Sequence, residues 1–196
     1  MFSKFVLTIL VALFVGTSVQ AQYWATSVTY DIGVPTSDLK DFTDETSFRG
    51  VSLDARRFIN DNVSVGLFLG WQVFKDRVVG LTSLNGSEIY GTRVNYVNTF
   101  PLMVTGCYHF GEEEGVRPYL GAGVGTVRSL QRSEIGLFAF ENNNWHFGFY
   151  PAVGVLIPVQ YDFGVNLGVK YHHAVGTDDS IDYSYLTFSV GLIWVN

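Results

Sequence analysis

Apolar and polar residues alternate with a period of two through most of this chain, most plainly between Trp145 and His172. From Trp145 to Val159 the odd positions read Trp, Phe, Phe, Pro, Val, Val, Ile, Val. The even positions are His146, Gly148, Tyr150, Ala152, Gly154, Leu156 and Pro158. After a short turn through Asp162, Phe163, Val165, Leu167, Val169 and Tyr171 alternate with Gly164, Asn166, Gly168, Lys170 and His172. Successive side chains of a strand point to opposite faces. The stretch therefore predicts one β-hairpin with a long apolar face and an opposite face of glycine, amide and charge. A soluble sheet would bury that apolar face under a second layer. No amphipathic helix is available to cover it, so the apolar face is expected to meet lipid.

The same period predicts eight strands, at about 23–35, 46–59, 62–75, 93–110, 116–128, 145–158, 162–174 and 183–195. In the third, Val63, Val65, Leu67, Leu69, Trp71 and Val73 face one way while Ser64, Gly66, Phe68, Gly70 and Gln72 face the other. The connections alternate in length. Three are short, at Asn60–Asn62, Gly111–Gly115 and Pro158–Asp162; four are long and polar, at about 36–45, 76–92, 129–144 and 175–182. Short turns at one end and long loops at the other are the layout of a transmembrane barrel, with turns periplasmic and loops extracellular. The expected fold is all-β, an eight-stranded antiparallel up-and-down transmembrane β-barrel, closed without an edge. Outward aromatics should then gather at two heights. Trp71, Tyr96, Trp145, Phe147 and Tyr171 fall near the loop ends of their strands, and Tyr108, Phe110, Phe163 and Trp194 near the turn ends.

Composition agrees with that reading. Charged residues are 15% of the chain, against ~25% in ordinary soluble domains. Residues 1–21 read as a secretory signal peptide: Lys4 before an apolar core from Phe5 to Val15, then Val19-Gln20-Ala21 ahead of Gln22. That core is much shorter than the ~20 residues a spanning helix needs. Loss of Lys4 moves the formal charge from −6 to −7. Residues 22–196 are expected to be one barrel domain, and the acidic balance argues against nucleic acid as a partner. The single Cys107 permits no intrachain disulfide.

Three segments carry a resemblance: Phe100-Pro-Leu-Met-Val-Thr-Gly-Cys-Tyr-His-Phe110, Arg117-Pro-Tyr-Leu-Gly-Ala-Gly-Val-Gly125 and Val169-Lys-Tyr-His172. With them the chain resembles the small outer-membrane β-barrel proteins of OmpA/OmpX and OmpW type, in pattern along the whole mature chain rather than in one motif. Members often end in a barrel-assembly signal. Ser189, Gly191 and Trp194 fit its first three places, and Asn196 stands where an aromatic is usual. The resemblance implies an outer-membrane location, the barrel-assembly machinery as a partner in biogenesis, and surroundings of outer-membrane lipid and lipopolysaccharide. It implies roles in envelope integrity, surface adhesion or minor solute passage, without choosing among them or naming an extracellular partner.

Parity points Asp31, Asp54, Arg56, Arg117, Asp162 and Lys170 into the lumen, together with His146 and His172. Three acids facing three bases would make a self-neutralising interior, where an unpaired charge is costly. Asp54, Arg56 and Arg117 are expected to cluster in the periplasmic half, with Asp31 and Lys170 higher. Such a lumen is either a polar path for small solutes or a structural plug; an eight-stranded barrel leaves little free bore, which favours the plug.

Other candidates carry less. His172 and His173 point to opposite faces and cannot chelate one ion. An outer-membrane lipid deacylase would need a serine two residues after its histidine, and Ala174 and Val175 occupy those places. Ser180 and Asp182 form no assembled site in sequence, so no catalytic residue, metal or cofactor is assigned. The acidic loops (Asp38, Asp41, Asp44, Glu45; Asp178, Asp179, Asp182) and the Glu112–Glu114 turn lack EF-hand spacing and read as solvated charge. Ile135-Gly-Leu137-Phe138-Ala-Phe140 is apolar yet beyond the expected membrane edge: a contact patch, an inward lid or a strand extension. A secreted lipocalin-type barrel would need the reverse facing, with an apolar cavity and a polar exterior.

Overall fold

The computed structural model describes residues 23–84, 87–112, 115–135, 138–177 and 181–196. The expected signal peptide lies outside the described residues, as do Leu137, Asp178, Asp179 and Ser180 and the side chains of Ile135, Phe138 and Phe140. Eight antiparallel strands run in chain order: β1 (Trp24–Thr36), β2 (Ser47–Phe58), β3 (Val63–Leu84), β4 (Ser87–His109), β5 (Arg117–Ile135), β6 (Phe138–Gln160), β7 (Phe163–Ala174) and β8 (Tyr183–Val195). Each pairs with its sequence neighbours, and β8 pairs back to β1, closing the barrel. Closure satisfies the membrane-spanning part of each ladder from within the wall, as hydrocarbon demands.

The facing follows the sequence period. Val65, Leu167 and Val190 are exposed on the outer wall, while Lys170 and Arg117 are 3% and 5% exposed inside. The β4–β5 turn reverses at Gly111, whose φ of 88° is open to glycine at little cost.

Two expected loops are strands instead. β3, β4 and β6 run to 22 or 23 residues and β5 to 19, against 12 or 13 for the other four. The segments about 76–92 and 129–144, read as loops, pair as the upper parts of two hairpins, from Lys75↔Tyr96 to Leu84↔Ser87 and from Arg132↔Glu141 to Ile135↔Phe138. Of the three alternatives for Ile135–Phe140, the described backbone, at 135 and 138–140, takes the strand extension. Beyond the bilayer both faces of a hairpin are wet, so the apolar–polar alternation that marks a spanning strand is not required there. The extra length raises a four-stranded wall above the shorter strands by on the order of 20–30 Å.

The first loop holds a short helix, α1 (Ser37–Phe42), where only acidic loop was expected. It leaves β1 through Ser37, whose φ of 50° is unusual for a residue with a Cβ. Leu39 is wholly buried within the upper apolar cluster, and Phe42 packs against the same cluster. Asn95 Nδ2 donates to the Phe42 carbonyl at 2.8 Å, tying the end of α1 to β4.

Candidate functional site

The bore is filled in layers. At the turn end, Phe58 stacks on Tyr23 with centroids 4.3 Å apart, and His109 lies 4.8 Å from Phe58 and 5.6 Å from Tyr119. His109 Nε2 meets Ser64 Oγ at 2.9 Å. Above them comes a polar layer. Arg56 donates to Asp54 through Nε and Nη2 at 2.8 and 2.5 Å, a two-point pair that fits the planar guanidinium. Lys170 Nζ donates to Ser189 Oγ at 2.8 Å, and Tyr119 OH donates to Asn166 Oδ1 at 3.1 Å. Near the loop end, Phe68 lies 5.1 Å from Tyr150 and 5.7 Å from His172, and His172 stacks on Tyr185 at 4.7 Å. Phe74 meets Tyr185 edge to face at 5.2 Å. A cavity of about 10 Å³ beside Asp31, Gln72, His172 and Thr187 has room for about one water.

Glycines make the space for these rings. A Cβ at Gly123 would lie 2.4 Å from the Tyr150 ring, and one at Gly154 would lie 2.4 Å from Tyr119. The inner face is therefore not the glycine, amide and charge surface that alternation suggests. It carries its own aromatic core, which parity placed inside but did not weigh.

Five of the six residues expected to form the lumen network are buried: Asp31, Asp54, Arg56, Arg117 and Lys170. Asp162 is not among them. It lies exposed in the two-residue turn before Phe163, because the strand ends at Gln160 and parity carries no meaning in a turn. Three bases thus share the interior with two of the expected acids. The anticipated Asp54–Arg56–Arg117 cluster also divides. Arg117 Nη1 donates to Tyr23 OH at 3.0 Å and Nη2 to the Asp61 carbonyl, with its guanidinium 5.4 Å over Phe58. Arg56 instead sits 5.0 Å over Tyr119. The aromatic layer separates the two cations. Asp31 accepts from Thr29 Oγ1 at 3.1 Å, and the Lys170 ammonium lies 5.2 Å over Phe68.

On the outside, Trp71, Tyr108, Trp145 and Trp194 are broadly exposed, and Phe110 joins Tyr108 at 4.9 Å. Phe163 meets Trp194 at 5.8 Å, and Trp71 stacks on Phe100 at 6.2 Å. Tyr171 is half-buried on the outer face of β7. Tyr96 stands two side-chain rows above Trp71, beside Lys75 on the raised wall. Sequence reading missed Trp24, exposed at the turn end, and Phe100; both lie on outward-facing positions that the period already marked.

Cross-strand pairing also makes a contact that local spacing could not reveal. His173 Nδ1 meets Ser184 Oγ at 2.7 Å on the outer side of β7 and β8. Ser184 is 1% exposed, so its hydroxyl faces no space for a substrate. Asp182 is engaged elsewhere, accepting from the Gly176 amide at 2.5 Å. Among the described residues, no group of three or more His, Cys, Asp or Glu side chains is arranged around a metal-sized point.

A closed barrel, apolar outside, polar and aromatic inside, with aromatic rims at two heights, defines a transmembrane protein of an outer membrane. The chain belongs to the family described as outer membrane protein beta-barrel domain, whose model matches residues 7–194. It is 31% identical over 138 residues to the outer-membrane protein y4mB of Sinorhizobium fredii (strain NBRC 101917 / NGR234), covering 70% of this chain. It spans 55% of that relative's length. Among solved structures, Neisserial surface protein A aligns with a TM-score of 0.53 at 18% identity, covering 89% of this chain and 97% of that one. Ail, the attachment invasion locus protein of Yersinia pestis, solved with the heparin analogue sucrose octasulfate, aligns with a TM-score of 0.52 at 11% identity, covering 89% and 97%. The N-terminal barrel of Pseudomonas aeruginosa OprF gives 0.52 at 15%, covering 90% and 98%. At these identities the likeness is one of fold.

Proposed function

We propose that this outer-membrane protein is a non-conducting, non-enzymatic barrel that works through its outer surfaces, in surface contact or envelope integrity. The observation that carries the reading is the filled bore: two aromatic layers, a polar layer between them, and α1 over the loop-end mouth. A solute would have to displace these buried rings. The raised β3–β6 wall supports the surface-contact role, since a hairpin wall of that height is not needed to cross a bilayer. Above Val73 on β3, whose carbonyl accepts from Ser47 Oγ, and Phe147 on β6, whose carbonyl accepts from the Val175 amide, the wall's outer edges have no ladder partner among the described residues, which leaves backbone groups open to another chain. In this reading the leader is removed near Ala21-Gln22, the barrel-assembly machinery inserts the chain, and lipopolysaccharide surrounds its upper half.

Planar-bilayer recording tests the plug. The purified barrel should show no sustained conductance, and steady open steps from the wild type would refute it. Adhesion tests the wall. Replacing residues 76–92 with a two-residue turn should leave the folded, heat-modifiable barrel intact and reduce adhesion of expressing cells to the level of cells lacking the protein. Unchanged adhesion would leave envelope integrity as the role.

A further inference from the structure

The outer wall is electrostatically one-sided. Along β1, β7 and β8 the outward positions of the described strands hold no lysine, arginine, aspartate or glutamate: Trp24, Thr26, Val28, Tyr30, Ile32 and Val34 on β1 are typical. The outward cations near the loop end stand on β2, β3 and β5: Arg49, Lys75, Arg77, Arg128 and Arg132. This happens in a chain whose formal charge is −6.

Register gives the cations a definite height. Phe100 pairs with Arg128 and Arg128 with Trp145, in the row where Trp71 stacks on Phe100. Arg128 is thus set directly into the upper aromatic belt, 6.0 Å over Trp145, with Nε donating to Asn143 Oδ1 at 3.1 Å. Two rows higher, Lys75, Tyr96, Arg132 and Glu141 stand side by side, with Lys75 5.2 Å over the Tyr96 ring. Arg132 is occupied by Glu134 and Glu141 at 2.6 and 3.1 Å. Lys75 and Arg128 have no carboxylate within ion-pair distance among the described residues. Between these rows a groove of about 530 Å³ runs past Tyr96, Asn98, Leu130 and Asn143, and the ion-paired Arg132, Glu134 and Glu141 also line it.

An arginine at the hydrocarbon boundary matches a lipid phosphate in sign and height. Amides and an aromatic just above it match sugar hydroxyls and ring faces. We propose that this face holds one outer-leaflet glycolipid, its phosphorylated headgroup contacted by Arg128 and Lys75 and its sugars lying in the Tyr96–Asn98–Asn143 groove. The assignment rests on the outer-leaflet placement of the upper half, and does not depend on the bore being closed.

Native mass spectrometry of the full barrel released from detergent tests it, with bisphosphorylated lipid A, dephosphorylated lipid A and phosphatidylglycerol as probes. The bisphosphorylated glycolipid should bind best, and the Lys75→Gln/Arg128→Gln variant should lose roughly tenfold of that affinity. Arg57→Gln, which removes a cation at the turn end of β2, should change it little. The gel shift of unheated samples checks that each variant is folded. Equal retention of the phosphorylated and dephosphorylated forms would overturn the phosphate contact. Equal retention of phosphatidylglycerol would overturn the sugar groove, and equal loss with Arg57→Gln would reduce the effect to bulk charge. Binding of no lipid at all would overturn the site.

Discussion

Tyr150 on β6 reaches across the bore to meet Phe68 on β3, ring centroids 5.1 Å apart and edge to face, over the gap left by Gly123. Both rings are 2% exposed. No hairpin joins β3 to β6, so this contact exists only because the sheet closes. It leaves the closure of the bore at this level to a few side chains.

Removing both rings should open the bore. Phe68→Ala/Tyr150→Ala is expected to show ion conductance in planar bilayers that neither the wild type nor a Val190→Ala control on the lipid face shows. A silent double variant would mean that α1 or the lower layer seals the barrel unaided.

Filling the space that the rings occupy should destabilise the barrel. Gly154→Val puts a branched side chain where Tyr119 and the Leu167 carbonyl already lie within 2.5 Å of an added Cβ. Overpacking of that kind costs about 1–3 kcal/mol. The temperature at which the unheated gel band converts to the unfolded one should fall, whereas at Gly106, where an added Cβ meets nothing within 4 Å, alanine should leave it unchanged.

The Asp54–Arg56 pair makes an asymmetric prediction. Asp54→Ala leaves a buried guanidinium without its carboxylate, a loss of about 3–5 kcal/mol in a low-dielectric interior. Asp54→Ala/Arg56→Met removes the charge as well and should recover much of the stability in urea titrations of the reconstituted barrel. Arg117→Ala should also lower the heat-resistance of the fold, by releasing Tyr23 and the Asp61 turn, but additively with Asp54→Ala, since the aromatic layer parts the two sites. Strong non-additivity would place Arg117 in the same network after all.

The lid makes a local prediction. Leu39→Ser should free α1 from the upper cluster, so that protease cleaves within residues 37–46 while the barrel keeps its gel shift. Protection equal to the wild type would show that the Asn95–Phe42 hydrogen bond holds α1 without the leucine anchor.

Alternation by itself determined the closed eight-stranded barrel, the facing of nearly every spanning residue, and the two aromatic rims. A bilayer imposes one rule on all those positions, and the rule is local: every second side chain must suit hydrocarbon. The same logic placed Asp31, Asp54, Arg56, Arg117 and Lys170 inside and misplaced Asp162, which lies in the turn one residue before β7 begins. What lies outside the bilayer obeys no such rule, so the raised hairpins and α1 were not legible in the polar stretches 76–92, 129–144 and 36–45, beyond the strand extension offered as one alternative for Ile135–Phe140. Nor were the contacts that join distant strands: Tyr150 with Phe68, Arg117 with Tyr23, His173 with Ser184, and the row that sets Arg128 beside Trp145. Those depend on register and closure, which bring together residues 11 to 94 positions apart, and only the folded barrel decides them.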